Sequence, residues 1–171
     1  MQFAKFPVLR CTAILVLAAL GCFVTPPSFA QNPHAKIFGD WRVRCNSAIG
    51  APSNCHMFQN AIVQQTKQPI LQAIVGYIND VPNPIGEITL PLGVYLLPGL
   101  TMQIDDGQIY EMGFEFCSSG GCRVRFSIDE KLLGSFKGGN KAEIAFFNPA
   151  RKRVRVPISL KGFTAAIGQL R

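Results

Sequence analysis

An all-β fold, a sandwich or barrel of short antiparallel strands with at most short helical segments, is what this sequence predicts. Three observations carry that expectation. Apolar and polar residues alternate over short runs, the two-residue period of half-buried strands. Turn signals interrupt those runs often, with Gly 16 and Pro 12 among 171 residues. Hydrophobic residues make up 48% and charged residues 16%, which excludes a disordered chain, because disorder needs low hydrophobicity and high charge. The length suits one ordinary domain.

The elements follow in order. Asp40-Trp41-Arg42-Val43-Arg44-Cys45 alternates polar and apolar residues and reads as the first strand. Residues 55–64 and 70–78 read as two more, split by Lys67-Gln68-Pro69, and residues 79–84 carry every signal of a loop. Residues 87–97 are apolar but hold Pro91 and Gly93, which predicts two short strands or one broken strand. Residues 102–109 hold Asp106-Gly107, a strong hairpin-turn pair. Residues 114–126, FEFCSSGGCRVRF, read as a second hairpin with Ser-Ser-Gly-Gly at its tip. Asp129 is placed to cap a short helix running through Phe136, with Gly138-Gly139 ending it. Residues 142–147 and 151–160 complete the strands, and residues 163–170 fit a strand or a final helical turn.

The N-terminus reads as an address. Lys5 and Arg10 precede an uncharged apolar run over residues 11–24, and Ser28 and Ala30 place small residues before a cut at Ala30–Gln31. This is the three-part layout of a secretory signal. The run is too short for a membrane span, since its residues at about 1.5 Å each fall well below a hydrocarbon core of about 30 Å. Leu20-Gly21-Cys22 offers an alternative, a lipid anchor at Cys22, but Ala19 stands where a lipidation box has leucine. Residues 31–37 are expected to be a mobile lead-in and residues 38–171 the domain itself. Loss of Lys5 and Arg10 takes the net charge from +7 to +5.

Cleavage leaves Cys45, Cys55, Cys117 and Cys122, and an even number in an oxidising compartment reads as disulfides. Three connectivities fit. Cys45–Cys55 and Cys117–Cys122 close short loops, worth about 2.8 and about 2.2 kcal/mol by chain entropy, whereas Cys45–Cys117 gives about 4.4 kcal/mol. Short loops meet first during oxidation, which favours the local pairs. Placing Cys117 opposite Cys122 puts Phe114 and Phe116 on a face with Arg123 and Arg125. A bulge at Gly120-Gly121 is expected to shift that parity and join the aromatic residues to Val124 and Phe126. The cysteine spacings suit neither a zinc site nor a thiol oxidoreductase.

The matching stretches Gly39-Asp40-Trp41-Arg42-Val43-Arg44-Cys45, Cys55-His56-Met57-Phe58-Gln59, Leu90-Pro91-Leu92-Gly93-Val94 with Gly99, Ile104-Asp105, Phe116-Cys117 with Gly121-Cys122, and Ser159-Leu160-Lys161-Gly162-Phe163 run in order over most of the domain. In them the chain resembles the invasion-associated locus B family of exported bacterial proteins. The resemblance implies an immunoglobulin-like β-sandwich, a Gram-negative periplasmic or secreted location, and the two local disulfides. The family name refers to a locus linked to host-cell invasion, a virulence trait, but the family also occurs in bacteria that invade nothing. It brings no agreed catalytic residues.

Chemistry-bearing motifs are scarce. There is no G-x-S-x-G, no H-E-x-x-H and no phosphate loop. His34 lies in the lead-in, and His56 reads as a strand residue beside a disulfide. Asp106 is explained by its turn, and Glu87, Glu111, Glu115 and Glu143 alternate with apolar residues as solvent-facing strand positions do. The chain is therefore expected to be no enzyme and to need no cofactor or metal. Basic residues give the best lead. Arg151, Arg153 and Arg155 fall on one face of a strand at period two, Arg123 and Arg125 pair on the cysteine hairpin, and Arg42 and Arg44 pair on the first strand. Two such rows side by side would form a stripe suited to phosphate or sulfate, which guanidinium binds in forked geometry. The expected partner is anionic lipid, lipopolysaccharide or a host-surface component, with nucleic acid excluded by export. Scaffolding of another exported protein is the alternative, and an unrecognised hydrolase a more distant one.

Overall fold

The computed structural model describes residues 35–46, 54–78 and 81–170. The expected signal segment, residues 31–34 and the start of the 79–84 loop lie outside these. Lys36 and Ile37 belong to no lead-in: Lys36–Phe38 is already a strand, β1, paired with β2 (Trp41–Asn46). The chain continues through β3 (Asn54–Ile62), β4 (Pro69–Gly76), β5 (Ile85–Leu90), β6 (Leu100–Ile104), β7 (Ile109–Met112), β8 (Phe116–Ser118), β9 (Gly121–Ser127), α1 (Glu130–Gly138), β10 (Lys141–Phe147), β11 (Arg153–Ser159) and α2 (Phe163–Ile167). All strands pair antiparallel, in a seven-stranded sheet of order β1-β2-β3-β4-β5-β9-β8 and a four-stranded sheet of order β11-β10-β6-β7.

Period-two alternation sets which residues face inward. Val43, Met57, Leu71, Ala73, Val75, Ile88, Leu90 and Val124 of the larger sheet share one core with Leu100, Met102, Ile104, Ile144, Phe146, Val156 and Ile158 of the smaller. Burying each such side chain contributes about 1.5–3 kcal/mol. Of the sandwich or barrel that the alternation leaves open, the sandwich forms, with two antiparallel sheets sharing one core. Trp41 sits at the sheet-to-sheet seam, edge-on to Phe163 at 5.4 Å, and Phe163 stacks on Phe136 of α1 at 5.0 Å. Trp41 Nε1 and Gln59 Nε2 both donate to the Ser159 carbonyl, at 2.9 and 3.0 Å, and Ser159 N donates to Gln59 Oε1 at 2.9 Å. A side-chain amide thus satisfies the edge backbone of β11 from across the core.

The first and last matching motifs meet in space. Asp40 N donates to the Lys161 carbonyl at 3.1 Å, and Ser159 Oγ donates to Asp40 Oδ2 at 2.6 Å. Gly39 and Gly162 permit this approach. A Cβ on Gly162 would strike the Phe38 carbonyl and one on Gly39 the Lys161 carbonyl, and both have positive φ, +58° and +87° for Gly39 and Gly162.

Several local expectations hold. Asp129 Oδ1 accepts from Leu132 N at 2.8 Å at the start of α1, and Gly139 caps its end. Residues 100–112 form the hairpin around Asp106-Gly107. Residues 163–167 turn into a helix. Residues 87–97 resolve into the end of β5 and a connection held to β10 by a bridge between Tyr95 and Phe147.

Two further expectations need correction. No bulge interrupts the cysteine hairpin: Phe116, Cys117 and Ser118 pair with Arg123, Cys122 and Gly121 in unbroken register. Phe116 stays on the outer face because Arg123 and Arg125 cover it, with guanidinium carbons 5.5 and 5.7 Å from its ring centroid. Phe114 reaches the core by a different route, from the irregular stretch before β8. Gly121 serves close approach, since a Cβ there would meet the Leu90 carbonyl of β5. In addition, Arg151 is not part of the last strand, which starts at Arg153. Arg151 sits in the preceding turn with a positive φ of 57°.

Candidate anion-binding surface

Both disulfides are the local pairs, Cys45–Cys55 and Cys117–Cys122, each joining residues directly opposite in register. They pin the two hairpins that carry Arg42 and Arg44 on β2 and Arg123 and Arg125 on β9.

The sandwich keeps the arginine rows apart. On the outer face of the larger sheet, one row runs Arg42, Phe58, Ile74, Glu87, Arg125 across β2, β3, β4, β5 and β9. Four strand spacings of about 4.8 Å separate its two arginines by about 19 Å. Arg153 and Arg155 lie on the outer face of the other sheet, opposite Phe147 and Ala145. Two rows side by side, the condition for a stripe, are not found among the described residues.

Partners distinguish the rows further. Glu87, with its side chain only 16% exposed, takes Arg125 Nε at 2.8 Å and Arg123 Nε at 3.7 Å. Glu115 adds a contact to Arg125 at 3.6 Å. Glu87 keeps the outer-face position its alternation predicts, and the two arginines cover it there. The Arg125 guanidinium is held above its ordinary pKa, first by the hydrogen bond to Glu87 and then by that carboxylate's charge. Arg123 Nε is buried and donates no hydrogen bond. Two acids therefore meet two bases on β9, and little charge is left for a ligand. Arg155 is likewise paired, with Glu143 at 3.5 Å.

Arg151 and Arg153 make no ion pair among the described residues. The Arg151 guanidinium lies 5.0 Å above the Tyr95 ring, and Arg153 donates to Thr101 Oγ1 at 3.4 Å. Lys152 lies between them, and all three are exposed. Residues 147–153 contain no acid. Arg44 stacks on Phe58 at 5.2 Å, covering an aromatic ring on the outer face. His56, opposite Arg44, has its pKa lowered by burial and then by the Arg44 charge. Among the described residues no cluster of His, Cys, Asp or Glu is arranged to hold a metal ion.

Sequence reasoning missed the neighbour of this basic turn. Leu92, Leu96 and Leu97 are 59%, 44% and 72% exposed, in the β5–β6 connection that touches Arg151 through Tyr95. The signal was present. Pro91, Gly93, Pro98 and Gly99 prevent strand pairing, so apolar residues between them have no sheet face to bury.

Comparison with known proteins agrees with this architecture. The chain is 28% identical over 160 residues to an invasion protein B homolog of Brucella abortus (strain 2308), covering 90% of this chain and 88% of that protein. A homolog of the same name in Brucella abortus biovar 1 (strain 9-941) matches equally. The fold superposes on the crystal structure of invasion associated protein B from Bartonella henselae with a TM-score of 0.71 and 21% identity, over 80% of this chain and 94% of that one. The profile of the invasion associated locus B (IalB) proteins matches residues 41–171, from the seam tryptophan to the last residue, and the chain belongs to that family.

Proposed function

We propose that this protein is an exported, non-catalytic binding module that contacts an anionic envelope or host-surface component through Arg151, Lys152 and Arg153. The carrying observation is the unequal use of the arginines. Those on β9 and Arg155 are held by carboxylates, whereas Arg151 and Arg153 are not. Export after Ala30 is supported by the basic, apolar and small-residue order of residues 1–30 and by the disulfides, which persist in oxidising compartments. Phosphate groups on lipid or lipopolysaccharide have the charge and geometry that guanidinium recognises.

The test is co-sedimentation of oxidised residues 31–171 with vesicles containing phosphatidylglycerol or lipopolysaccharide, at low and physiological salt. The parent sediments with them at low salt and is released as salt rises. A variant carrying Arg151→Gln, Lys152→Gln and Arg153→Gln stays in the supernatant. Binding retained by that variant overturns the assignment, and cross-linking for a protein partner becomes the next experiment.

A further inference from the structure

The exposed leucines beside the basic turn carry a more specific reading, which rests on the proposed anion contact and names its source. We infer that Leu92, Leu96 and Leu97 enter the interface of an anionic phospholipid bilayer while Arg151, Lys152 and Arg153 hold its headgroup phosphates.

The two sequence segments are complementary in chemistry. Residues 88–104 contain no charged residue, and residues 147–153 contain three cations and no acid. They are joined at the tip of the sandwich. Tyr95 N donates to the Phe147 carbonyl at 2.9 Å, Arg151 covers the Tyr95 ring, and Leu96 and Leu97 follow Tyr95 directly. Glu111 faces Thr101 across the β6–β7 pair, but it makes no ion pair with Arg151 or Arg153.

The leucines are also held in place before any ligand arrives. Leu90 and Leu100, which bracket the connection, are fully buried, and Gly99 N donates to the Leu96 carbonyl at 2.8 Å. The entropy of ordering the loop is therefore lost on folding and not on binding. Aliphatic residues exposed to this degree on an ordered loop leave apolar area in water, and a collar of cations directs them to a negatively charged apolar boundary. A soluble polyanion would engage only the cations. A bilayer engages both, because binding at an interface sums buried apolar area and attraction to anionic headgroups.

The experiment separates the two contributions. Residues 31–171, which form a compact unit without the apolar run of residues 11–24, are compared with a variant carrying Leu92→Gln, Leu96→Gln and Leu97→Gln. Two ligands are used, vesicles of phosphatidylglycerol with phosphatidylcholine and immobilised dextran sulfate. Emission of the single tryptophan, the buried Trp41, checks that the variant is folded. The expected result is a loss of vesicle affinity of about tenfold or more, with dextran sulfate retention unchanged. A Leu97→Trp variant adds a second emission that shifts to the blue on vesicles and is quenched by brominated acyl chains. Leucine variants that bind vesicles like the parent, or an added tryptophan emission that bromine leaves untouched, overturn the insertion. A parent that is retained by neither ligand overturns the anion contact itself.

Discussion

Strands β9 and β11 look alike in sequence, each with arginines at period two, but the fold uses β9 and the head of β11 in opposite ways. On β9 the register places Arg123 and Arg125 opposite Thr89 and Glu87 of β5, one strand from Phe116. Carboxylates and an aromatic ring absorb both guanidiniums, so the row closes the outer face of the sheet. At the head of β11 the neighbours are Phe147, Tyr95 and Thr101, none of them acidic, and the charge stays available. A cation's availability is decided by what lies one strand away, and that information is long-range.

The comparison can be broken at β9 most forcefully. Replacing both Cys117 and Cys122 with Ser frees the short edge strand β8 and costs about 2 kcal/mol by chain entropy, read as a lower urea midpoint. Phe116 then no longer covers the arginines, and polyanion retention rises. Glu87→Gln leaves two neighbouring guanidiniums, one with a buried Nε, without their shared carboxylate. A loss of about 1–2 kcal/mol is expected, together with new retention on dextran sulfate. That variant leaves Glu115, beside Arg125, as the only carboxylate recorded against the β9 arginines among the described residues.

Smaller effects sharpen the contrast. Arg125→Gln costs about 0.5–1 kcal/mol after allowance for its partial exposure, whereas Arg153→Gln changes stability by less than about 0.5 kcal/mol. Binding shows the reverse order, with Arg153→Gln the more damaging. Equilibrium denaturation and vesicle sedimentation on the same two variants measure both. The smallest effect is on pH dependence. The folded His56 pKa lies below 6.5, so in acid the unfolded chain binds more protons. The His56 contribution is fully present above pH 6.5 and is lost as pH falls toward the depressed folded value. His56→Gln therefore flattens the decline in stability between neutral pH and pH 5, and Arg44→Gln lessens it.

Much of the architecture is legible in the sequence because it rests on local rules. Period-two alternation places the strands, Asp129 announces its helix, and the short cysteine spacings favour the pairs that form. The departures share a cause. A bulge is expected only if Phe116 must be buried, whereas Arg123 and Arg125 cover that ring on the outer face, which depends on pairing between distant strands. The arginine rows can be read, but whether they adjoin depends on which sheet each strand joins. The exposed leucines resemble strand residues because apolar side chains normally mark a buried face. Only the prolines and glycines around them point to a loop.

The most direct test is a backbone-amide NMR titration of residues 31–171 with nanodiscs containing phosphatidylglycerol. Shifts concentrated in residues 91–98 and 148–153, with β9 unchanged, are the predicted result. Shifts centred on Arg123 and Arg125, or none at the leucine loop and basic turn, would contradict it.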